Sequence, residues 1–467
     1  MQSTGPKFVA LAALMGVLLA CRHEPYGAED DAGDEPYVSG QVIELNDNGA
    51  CSWFMDERLT VHDGRLVVGS VRADRPSDAS VDDPDWGNVE VTALDLATGV
   101  VDTTILHRHF EQDDHNCPAF LPLTDGGLLA VYTKHKHEQN VYVQRSDPHD
   151  PLRWTSLDTF VSPGAGSANN ETTYSNLFRL PSGRIANFYR GLDQDPNYMY
   201  SDDEGVTWTH AGRLMHGLDG YSAYLKYAQD SAGAVHFVAT EDHPRKYDNS
   251  LYHGVLVDDE LRRSDGTKIA EIGADATATA NTWDFTRVFQ GDPDNVAWMT
   301  DIELDGDERP IIAFSVQKGD RGVPEYQGGF DLRYHYARWD GQDWTSHEIA
   351  YAGERLYQDE EDYTGLATLD PQDTSVVYIS TNADPLTGSP LISATDGLRH
   401  YELFHGVTTD HGASWDWQPI TRDSTTDNLR PQVPRWQDDR TALVWMRGTY
   451  LSHRGTWTTA VVGMIRE

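Results

Sequence analysis

The segment Asp113–Tyr132, DDHNCPAFLPLTDGGLLAVY, contains a polar loop, an Asp-Gly-Gly turn and then an apolar run. Gly and Asp suit tight turns, and a short run rich in Leu, Val and Tyr is typical of a buried strand. The same order of polar turn and apolar run occurs seven times along the chain. The seven runs are RLVVGSV after Gly64, LLAVYT after Gly127, RIANFY after Gly183, AVHFVAT after Gly233, RPIIAFSV after Glu308, SVVYIST after Thr374 and RTALVWM after Asp439. This repeated turn-and-strand unit decides the fold class.

Repeated strands at long intervals, with further short strands and turns between them, are typical of a β-propeller with one four-stranded sheet per blade. Seven units therefore predict an all-β, seven-bladed β-propeller, which we place at residues 39–467 as the catalytic domain. A pair of β-sandwiches would not repeat one unit seven times, and a β-helix would have a shorter period. The 40 Gly, 13 Trp and 22 Tyr also favour turns and aromatic-rich strands over helices.

A second pattern, S/T-x-D-x-G-x-S/T-W, supports the propeller. It occurs as SDDEGVTW at Ser201–Trp208 and as TTDHGASW at Thr408–Trp415, with a degraded copy at Ser146-Asp147 and Trp154. This pattern is the Asp-box, or bacterial neuraminidase repeat, in which Asp and Gly close a hairpin turn and Trp packs beneath it. We expect its acidic residues to be structural rather than catalytic.

The N-terminus has the pattern of an export signal. Lys7 precedes the apolar run Phe8–Ala20, which is shorter than the roughly 20 residues that span a membrane. The run ends in Leu-Leu-Ala-Cys, which resembles the bacterial lipobox, whose cysteine becomes the lipidated first residue. We predict a lipoprotein signal peptide at 1–20, lipidation of Cys21 and an acidic flexible tether at 21–38. The alternative is an ordinary cleaved signal with a chance cysteine.

The net charge and the export signal restrict location and partners. A formal charge of −39 argues against nucleic acid as a partner. We expect a monomer that contacts a membrane only through its lipid, at the outer membrane or surface of a bacterium, or alternatively a periplasmic or secreted protein. An exported location permits a disulfide between Cys51 and Cys117, although the sequence does not show that they meet. A polyanionic substrate would need a local cluster of arginines.

Polar side chains recur where the seven apolar runs end. They are His135, Arg190, Lys318, Asn382 and Arg447, with His243 nearby. Because equivalent strand ends surround one central depression in a propeller, we expect these side chains to face it. Two loops that lead into the second and third units, with His115-Asn116 and Tyr174, should face it as well.

Histidine, tyrosine and arginine without a carboxylate pair favour elimination over hydrolysis. Glycoside hydrolysis usually needs two carboxylates that flank one bond. Histidine and tyrosine suit proton removal and return, and arginine suits bidentate pairing with a carboxylate. In β-elimination on a uronate polysaccharide, arginine neutralises the uronate, one group removes the C5 proton and another donates to the departing O4. The sequence does not say which of His115 and Tyr174 is the base.

Three longer stretches resemble the BNR repeat propeller family that includes the ulvan lyases. They are His115–Trp208, Ala223–His253 and Asp362–Gly388. The resemblance implies a polysaccharide lyase that cleaves an ulvan-like, anionic polysaccharide with a His/Tyr mechanism. It implies catalytic roles for His115, His135, Tyr174 and Arg190 and substrate-binding roles for Tyr224 and Arg245, to which we add Asn116 beside His115.

Several positions stay open within this resemblance. Tyr227 competes with Tyr224 as the substrate-binding tyrosine, and His137 competes with His135 as the second histidine. Some family members hold a structural divalent metal partly through cysteine, but no cysteine follows His243. We therefore assign no metal site, although His243 and His253 could contribute to one, and expect the chemistry to require no cofactor.

Two other functions compete. A sialidase is also an Asp-box propeller, and Phe178–Pro181, FRLP, is similar to its Phe-Arg-Ile-Pro motif, but it lies in the third unit rather than ahead of the first. A non-catalytic surface glycan-binding lipoprotein would keep aromatic residues and arginines but would not need His115 and Tyr174 together. The sequence favours the lyase over both.

Overall fold

The computed structural model describes residues 36–73, 85–155, 157–163, 170–217, 222–273, 280–436 and 438–466. The predicted signal peptide, Cys21 and the predicted tether up to residue 35 lie outside these ranges. The described chain is mainly β-structure with three short 3-10 turns, at Asp114–Asn116, Leu192–Gln194 and Thr282–Asp284. None of its helical segments is long and apolar enough to cross a membrane.

The described strands, numbered in chain order, form seven blade sheets and one two-stranded sheet. Two N-terminal strands come first, β1 (Tyr37–Val38) and β2 (Ile43–Asn46). Blade 1 contains β3 (Leu59–His62), β4 (Arg65–Val71), β5 (Val89–Asp95) and β6 (Val101–His107). Blade 2 contains β7 (Ala119–Pro122), β8 (Leu128–Thr133), β9 (Asn140–Asp147), β10 (Asp150–Trp154) and β11 (Asp158–Val161). Blade 3 contains β12 (Thr173–Arg179), β13 (Ile185–Arg190), β14 (Pro196–Ser201) and β15 (Thr209–Arg213).

The remaining blades follow the same plan. Blade 4 contains β16 (Tyr224–Gln229), β17 (Val235–Thr240), β18 (Leu251–Val257), β19 (Glu260–Arg263), β20 (Lys268–Glu271) and β21 (Thr286–Phe289). Blade 5 contains β22 (Asn295–Leu304), β23 (Pro310–Lys318), β24 (Leu332–Trp339) and β25 (Trp344–Gly353). Blade 6 contains β26 (Ala367–Leu369), β27 (Val376–Thr381), β28 (Glu402–Val407) and β29 (Asp416–Pro419). The last part of the chain forms β30 (Thr421–Arg422), β31 (Asp427–Gln432), β32 (Thr441–Ser452) and β33 (Thr456–Arg466).

Each apolar run of the sequence is the second strand of a blade. The seven second strands are β4, β8, β13, β17, β23, β27 and β32. Their side chains are buried on both faces, because each sheet packs between two neighbouring blades. The predicted seven-bladed β-propeller is therefore confirmed.

The N-terminal strand closes the ring of blades. Blade 7 has the order β31, β32, β33 and then β2, so that Ile43 pairs with Gly463. In addition, β1 pairs with β30. The predicted tether, 21–38, therefore extends too far, because Tyr37 and Val38 already belong to the folded domain.

The first strands of the blades line the central axis and define two faces. We call the end at which these strands begin the front face and the opposite end the rear face. Between them lies the segment Cys51–Met55, which we call the axial plug. Its Trp53 is 1% exposed, and its Phe54 contacts aromatic rings of three blades. Arg430 and Lys226 each donate to carbonyl groups of the plug at 2.7 Å.

A disulfide joins Cys51 of the axial plug to Cys117, with their Cα atoms 5.6 Å apart. Cys117 directly follows the 3-10 turn that carries His115. We expect the Cys51→Ser/Cys117→Ser double variant to lose about 2–4 kcal/mol of unfolding free energy, because the bond restricts the unfolded chain. Urea unfolding checks this, with reduced wild-type protein as the control. An unchanged midpoint in both samples would contradict a stabilising role.

Both Asp-boxes form the turn between the third and fourth strands of their blades. In the first, Asp203 accepts from the backbone and hydroxyl of Thr207 at 2.7 and 2.6 Å, and Trp208 donates to Gly205. In the second, Asp410 makes the equivalent bonds to Ser414. These carboxylates hold turns, as predicted.

Candidate active site

The structure brings four predicted site residues together at the front face. The rings of His115 and His135 stack with centroids 3.7 Å apart. The ring of Tyr174 lies 5.6 Å from that of His115, and the Arg190 guanidinium lies 5.2 Å from the Tyr174 ring. We call His115, His135, Tyr174, Arg190 and the adjacent Tyr224 the front site. His137 lies outside it, because its mostly exposed ring binds Glu111.

Local structure explains how His115 and His135 meet. Asp113 caps the 3-10 turn by accepting from the backbone N–H of His115. The same carboxylate contacts Nδ1 of His115 at 2.6 Å and Nδ1 of His135, which follows β8, at 2.9 Å. Asp113 therefore orients both rings and leaves each Nε2 for another partner.

One positive charge is stable in this stacked pair. Burial alone would lower the pKa of His115, but Asp113 and Asp114 outweigh burial and raise it to about 9. Burial and the neighbouring His115 charge lower the pKa of His135 to about 3, against the attraction of Asp113. Burial opposes ionisation of Asp113, yet the two histidines hold its pKa well below its usual value. His115 is thus the imidazolium at neutral pH, and His135 is neutral.

Tyr174 has an unusual backbone at the start of β12. Its φ is +65°, a left-handed value that is uncommon for a bulky side chain. It lies at a register shift between Thr173 and Asn176 in the pairing of β12 with β13. Such bulges redirect a side chain and are frequent next to active sites. Burial raises the pKa of Tyr174 well above 10, so its hydroxyl stays protonated.

Arg190 is held beside Tyr174 by strand pairing. It ends β13 and pairs with Thr173. Its guanidinium lies 4.1 Å from the Tyr224 ring centroid and donates to the Tyr224 hydroxyl at 3.4 Å. Nη2 is buried and donates to no described group. Because an unpaired buried cation is costly, an anionic ligand would stabilise it.

The structure distinguishes Tyr224 from its competitor Tyr227. Tyr224 lies over Arg190, whereas Tyr227 packs against Phe188 within the blade core, with ring centroids 5.1 Å apart. The space enclosed among Tyr174, Arg190 and Tyr224 is about 20 Å³, which is enough for a water molecule. A ligand larger than water would therefore lie over these residues on the front side.

The other two predicted substrate-binding residues lie differently. Asn116 is fully buried, and its Nδ2 donates to the carbonyl of Glu111 at 3.4 Å. Arg245 is paired with Glu360 and Glu325, so its charge is already neutralised. Their substrate-binding roles stay predictions that these contacts do not favour.

Sequence reasoning missed several residues of the front site. Asp113 and Asp114 directly precede His115, but the sequence pattern predicts no role for them. His453, whose ring lies 5.3 Å from that of His115, comes from the other end of the chain. The sequence placed the end of the seventh apolar run near Arg447, but β32 continues to Ser452. Arg447 is therefore within the strand, and this blade presents His453 instead.

Two groups in the described part of the chain bring metal-ligand atoms within 4.8 Å of one another. They are Asp113 with His135 and His453, and Asp113 with Asp114 and His115. The hydrogen bonds that Asp113 accepts from both histidines account for this arrangement without an ion. The candidates His243 and His253 have separate partners, Glu360 for the first and His236 and Ser264 for the second.

The sialidase-like Arg179 is remote from the front site. It ends β12, whereas Tyr174 is near the beginning of that strand. Its guanidinium binds both carboxylate oxygens of Glu204 in the first Asp-box, at 2.7 and 2.9 Å. Arg179 is therefore a structural residue of the rear face.

Comparisons with known proteins agree with the fold. An ulvan lyase, described as a new family of polysaccharide lyase, superposes with a TM-score of 0.62 at 12% identity, over 90% of this chain and 95% of that one. The same kind of enzyme bound to -[GlcA(1-4)Rha3S]- gives a TM-score of 0.61 at 13% identity, with the same coverage. A Trypanosoma rangeli sialidase in complex with sialic acid gives 0.41 at 11% identity, over 91% of this chain and 58% of that one.

At these identities the similarity to the two lyase structures shows the fold alone. No curated protein matches the chain in sequence. The family model described as BNR repeat-containing family member matches residues 83–352, which is more than half of the chain. The protein therefore belongs to the BNR repeat-containing family.

Proposed function

We propose that this protein is a polysaccharide lyase that cleaves an anionic, uronate-containing polysaccharide by β-elimination. The observation that carries the proposal is the convergence of His115, Tyr174 and an unpaired Arg190 at one face of the propeller. The ulvan lyases that share the fold act on a polymer of this kind, as the bound -[GlcA(1-4)Rha3S]- shows for that enzyme. An ulvan-like substrate is therefore the first to test.

Arg190 would bind the uronate carboxylate. Its buried Nη2 lacks a partner, and Tyr224 holds the guanidinium from one side. Pairing with Arg190 withdraws negative charge from the carboxylate, which makes the C5 proton more acidic. It also stabilises the enolate-like intermediate, which is the main way in which the protein would lower the barrier.

His115 and Tyr174 would move the protons. In its neutral form, His115 donates Nδ1–H to Asp113 and has a free Nε2 lone pair, which suits removal of the C5 proton. Tyr174 keeps its proton at every pH at which the enzyme would work, so it suits donation to the departing O4. His135 stacks on His115 and shares Asp113, so it would position the base.

These roles predict a pH dependence. With the pKa of His115 at about 9, the neutral base is a minor form at pH 7. We expect kcat/KM to rise about tenfold per pH unit below this pKa and to level off above it. Initial rates between pH 6.5 and 10 check the expectation. A rate that falls as pH rises from 7 to 9 would show that the imidazolium is the working form and would reverse the two roles.

Product analysis separates the lyase from its competitors. A lyase generates an unsaturated uronyl end that absorbs in the ultraviolet, whereas a sialidase releases free sialic acid. The mature protein is incubated with ulvan, other uronate polysaccharides and a sialyl glycan. Binding without either product would leave the surface glycan-binding lipoprotein as the function. Activity that survives EDTA would agree with a mechanism that requires no cofactor.

We also propose export and anchoring through a lipid on Cys21, followed by the acidic segment that precedes Tyr37. The Leu-Leu-Ala-Cys sequence supports this proposal. A surface location would place the enzyme where a polysaccharide too large to enter the cell can reach it. Incorporation of labelled palmitate into wild-type protein but not into Cys21→Ala protein tests the anchor.

A further inference from the structure

The axial plug closes the central channel, so a second cavity remains on the rear face. This rear cavity has a volume of about 390 Å³, within the roughly 300–1,000 Å³ that is typical of small-molecule sites. The segment Asp56–Leu59, which continues from the plug, forms one wall. The ends of the first strands of blades 2 to 5 form others, and the exposed Arg435 lies at the rim.

The rear cavity combines apolar walls with unpaired polar groups. Half-buried Phe120 and Phe178 contribute rings to its lining. Arg58 is 2% exposed, and its buried Nε donates to no described group. Asp56 also lines the cavity, and its buried Oδ2 accepts from no described group. Buried polar atoms are nearly always hydrogen-bonded, so a donor and an acceptor left open in one cavity point to a ligand.

We propose that the rear cavity binds an uncharged sugar ring, as a second carbohydrate site separate from the front site. A hydroxyl group both donates and accepts, so adjacent hydroxyls can satisfy the Arg58 donor and the Asp56 acceptor together. A simple anion would satisfy only Arg58, and a simple cation only Asp56. The C–H face of a sugar can pack on Phe120 and Phe178, as ligands do on the apolar walls of such pockets.

The charges around the cavity favour a neutral ligand. Its carboxylates are Asp56, Glu57, Asp230 and Glu303. Arg435 binds Glu303 at 2.6 Å, and the Lys226 ammonium lies 3.9 Å from Asp56. Burial raises the pKa values of Asp56 and Glu303 to about 7, so each is partly protonated at neutral pH and can donate or accept. Glu57 adds a further negative group that would repel a uronate. The rear cavity thus differs from the front site, where unpaired Arg190 favours an anion.

Three sugars with one ring test the proposal: methyl α-D-glucopyranoside, D-glucuronate and D-glucosamine. Their binding to the full-length protein is measured by saturation-transfer NMR or calorimetry, which do not depend on elimination. We expect saturable binding of the glucoside and weaker binding of the two charged sugars. Asp56→Ala should weaken glucoside binding at least tenfold, and Arg190→Ala, a front-site change, should leave it unaltered. If Asp56→Ala does not fold, Phe178→Ala, which removes one apolar wall, provides the same comparison.

Each of the following three outcomes would overturn the proposal. No saturable glucoside binding would mean that the rear cavity holds only water. Tighter binding of glucuronate or glucosamine would refute the neutral specificity. Loss of glucoside binding in Arg190→Ala, but not in the rear variants, would place the sugar at the front site. None of these results depends on whether the front site is a lyase.

Discussion

Tyr174→Phe is expected to abolish elimination while leaving the fold intact. The change removes the proton that the phenol would deliver to O4, and general acid catalysis is worth roughly 10²–10⁴-fold in rate. The Tyr174 hydroxyl makes no hydrogen bond to another described residue, so its removal should cost little stability. Phenylalanine keeps the ring contacts with Phe54, His115 and Tyr224. The measurement is ultraviolet absorbance of the unsaturated product.

Tyr227→Phe is the matched control for this variant. Tyr227 loses the same hydroxyl from a tyrosine of the next blade, but its ring packs on Phe188, whereas the Tyr174 ring contacts His115. We expect it to retain the wild-type rate. Full activity in Tyr174→Phe would refute the proposed proton donor. Equal loss in both variants, or a large drop in unfolding free energy of Tyr174→Phe, would mean that the hydroxyl is structural.

The fold could be predicted from the sequence because its signals are local. Each apolar run follows a polar turn within a few residues, and each Asp-box contains its own hydrogen bonds. Counting such units gives the number of blades. The closure of blade 7 by β2 could not be predicted in this way, because β2 and its partner β33 lie near opposite ends of the chain. The axial plug could not be predicted either. Trp53 and Phe54 contact several blades and follow no local period in the sequence.

The site was predictable to the extent that blade geometry fixes it. Tyr174 and Arg190 face each other because β12 and β13 form a hairpin. His135 follows β8, which pairs with β7, the strand after the His115 loop. His453 reaches the front site because β32 extends to Ser452, and the apolar pattern does not predict this length. Burial of Asn116 and the pairing of Arg245 with Glu360 also depend on distant residues. The protonation of His115 follows from Asp113 and Asp114, whose distances only the structure gives.

Arg190→Ala is expected to lower kcat/KM by about 10²–10³-fold, the usual cost of removing one group that stabilises developing negative charge. The factor corresponds to about 3–4 kcal/mol of transition-state stabilisation. Arg190→Lys should recover only part of the loss, because lysine supplies the charge without the planar pair of donors. Arg179→Ala is the matched control, since this arginine at the far end of β12 binds Glu204 and not the front site.

A substrate with its uronate carboxyl groups methyl-esterified separates two explanations for a loss in Arg190→Ala, because the ester keeps C5 acidic but carries no charge. If Arg190 acts by neutralising the carboxylate, Arg190→Ala should cost much less on the esterified polymer than on the native one. If Arg190 mainly supports the ring of Tyr224, which it contacts at 4.1 Å, the variant should lose the same factor on both polymers. The two losses thus form a double-mutant cycle with the substrate as one partner. Strong coupling would place the carboxylate on Arg190, and full activity of Arg190→Ala on the native polymer would refute the elimination mechanism proposed for this site.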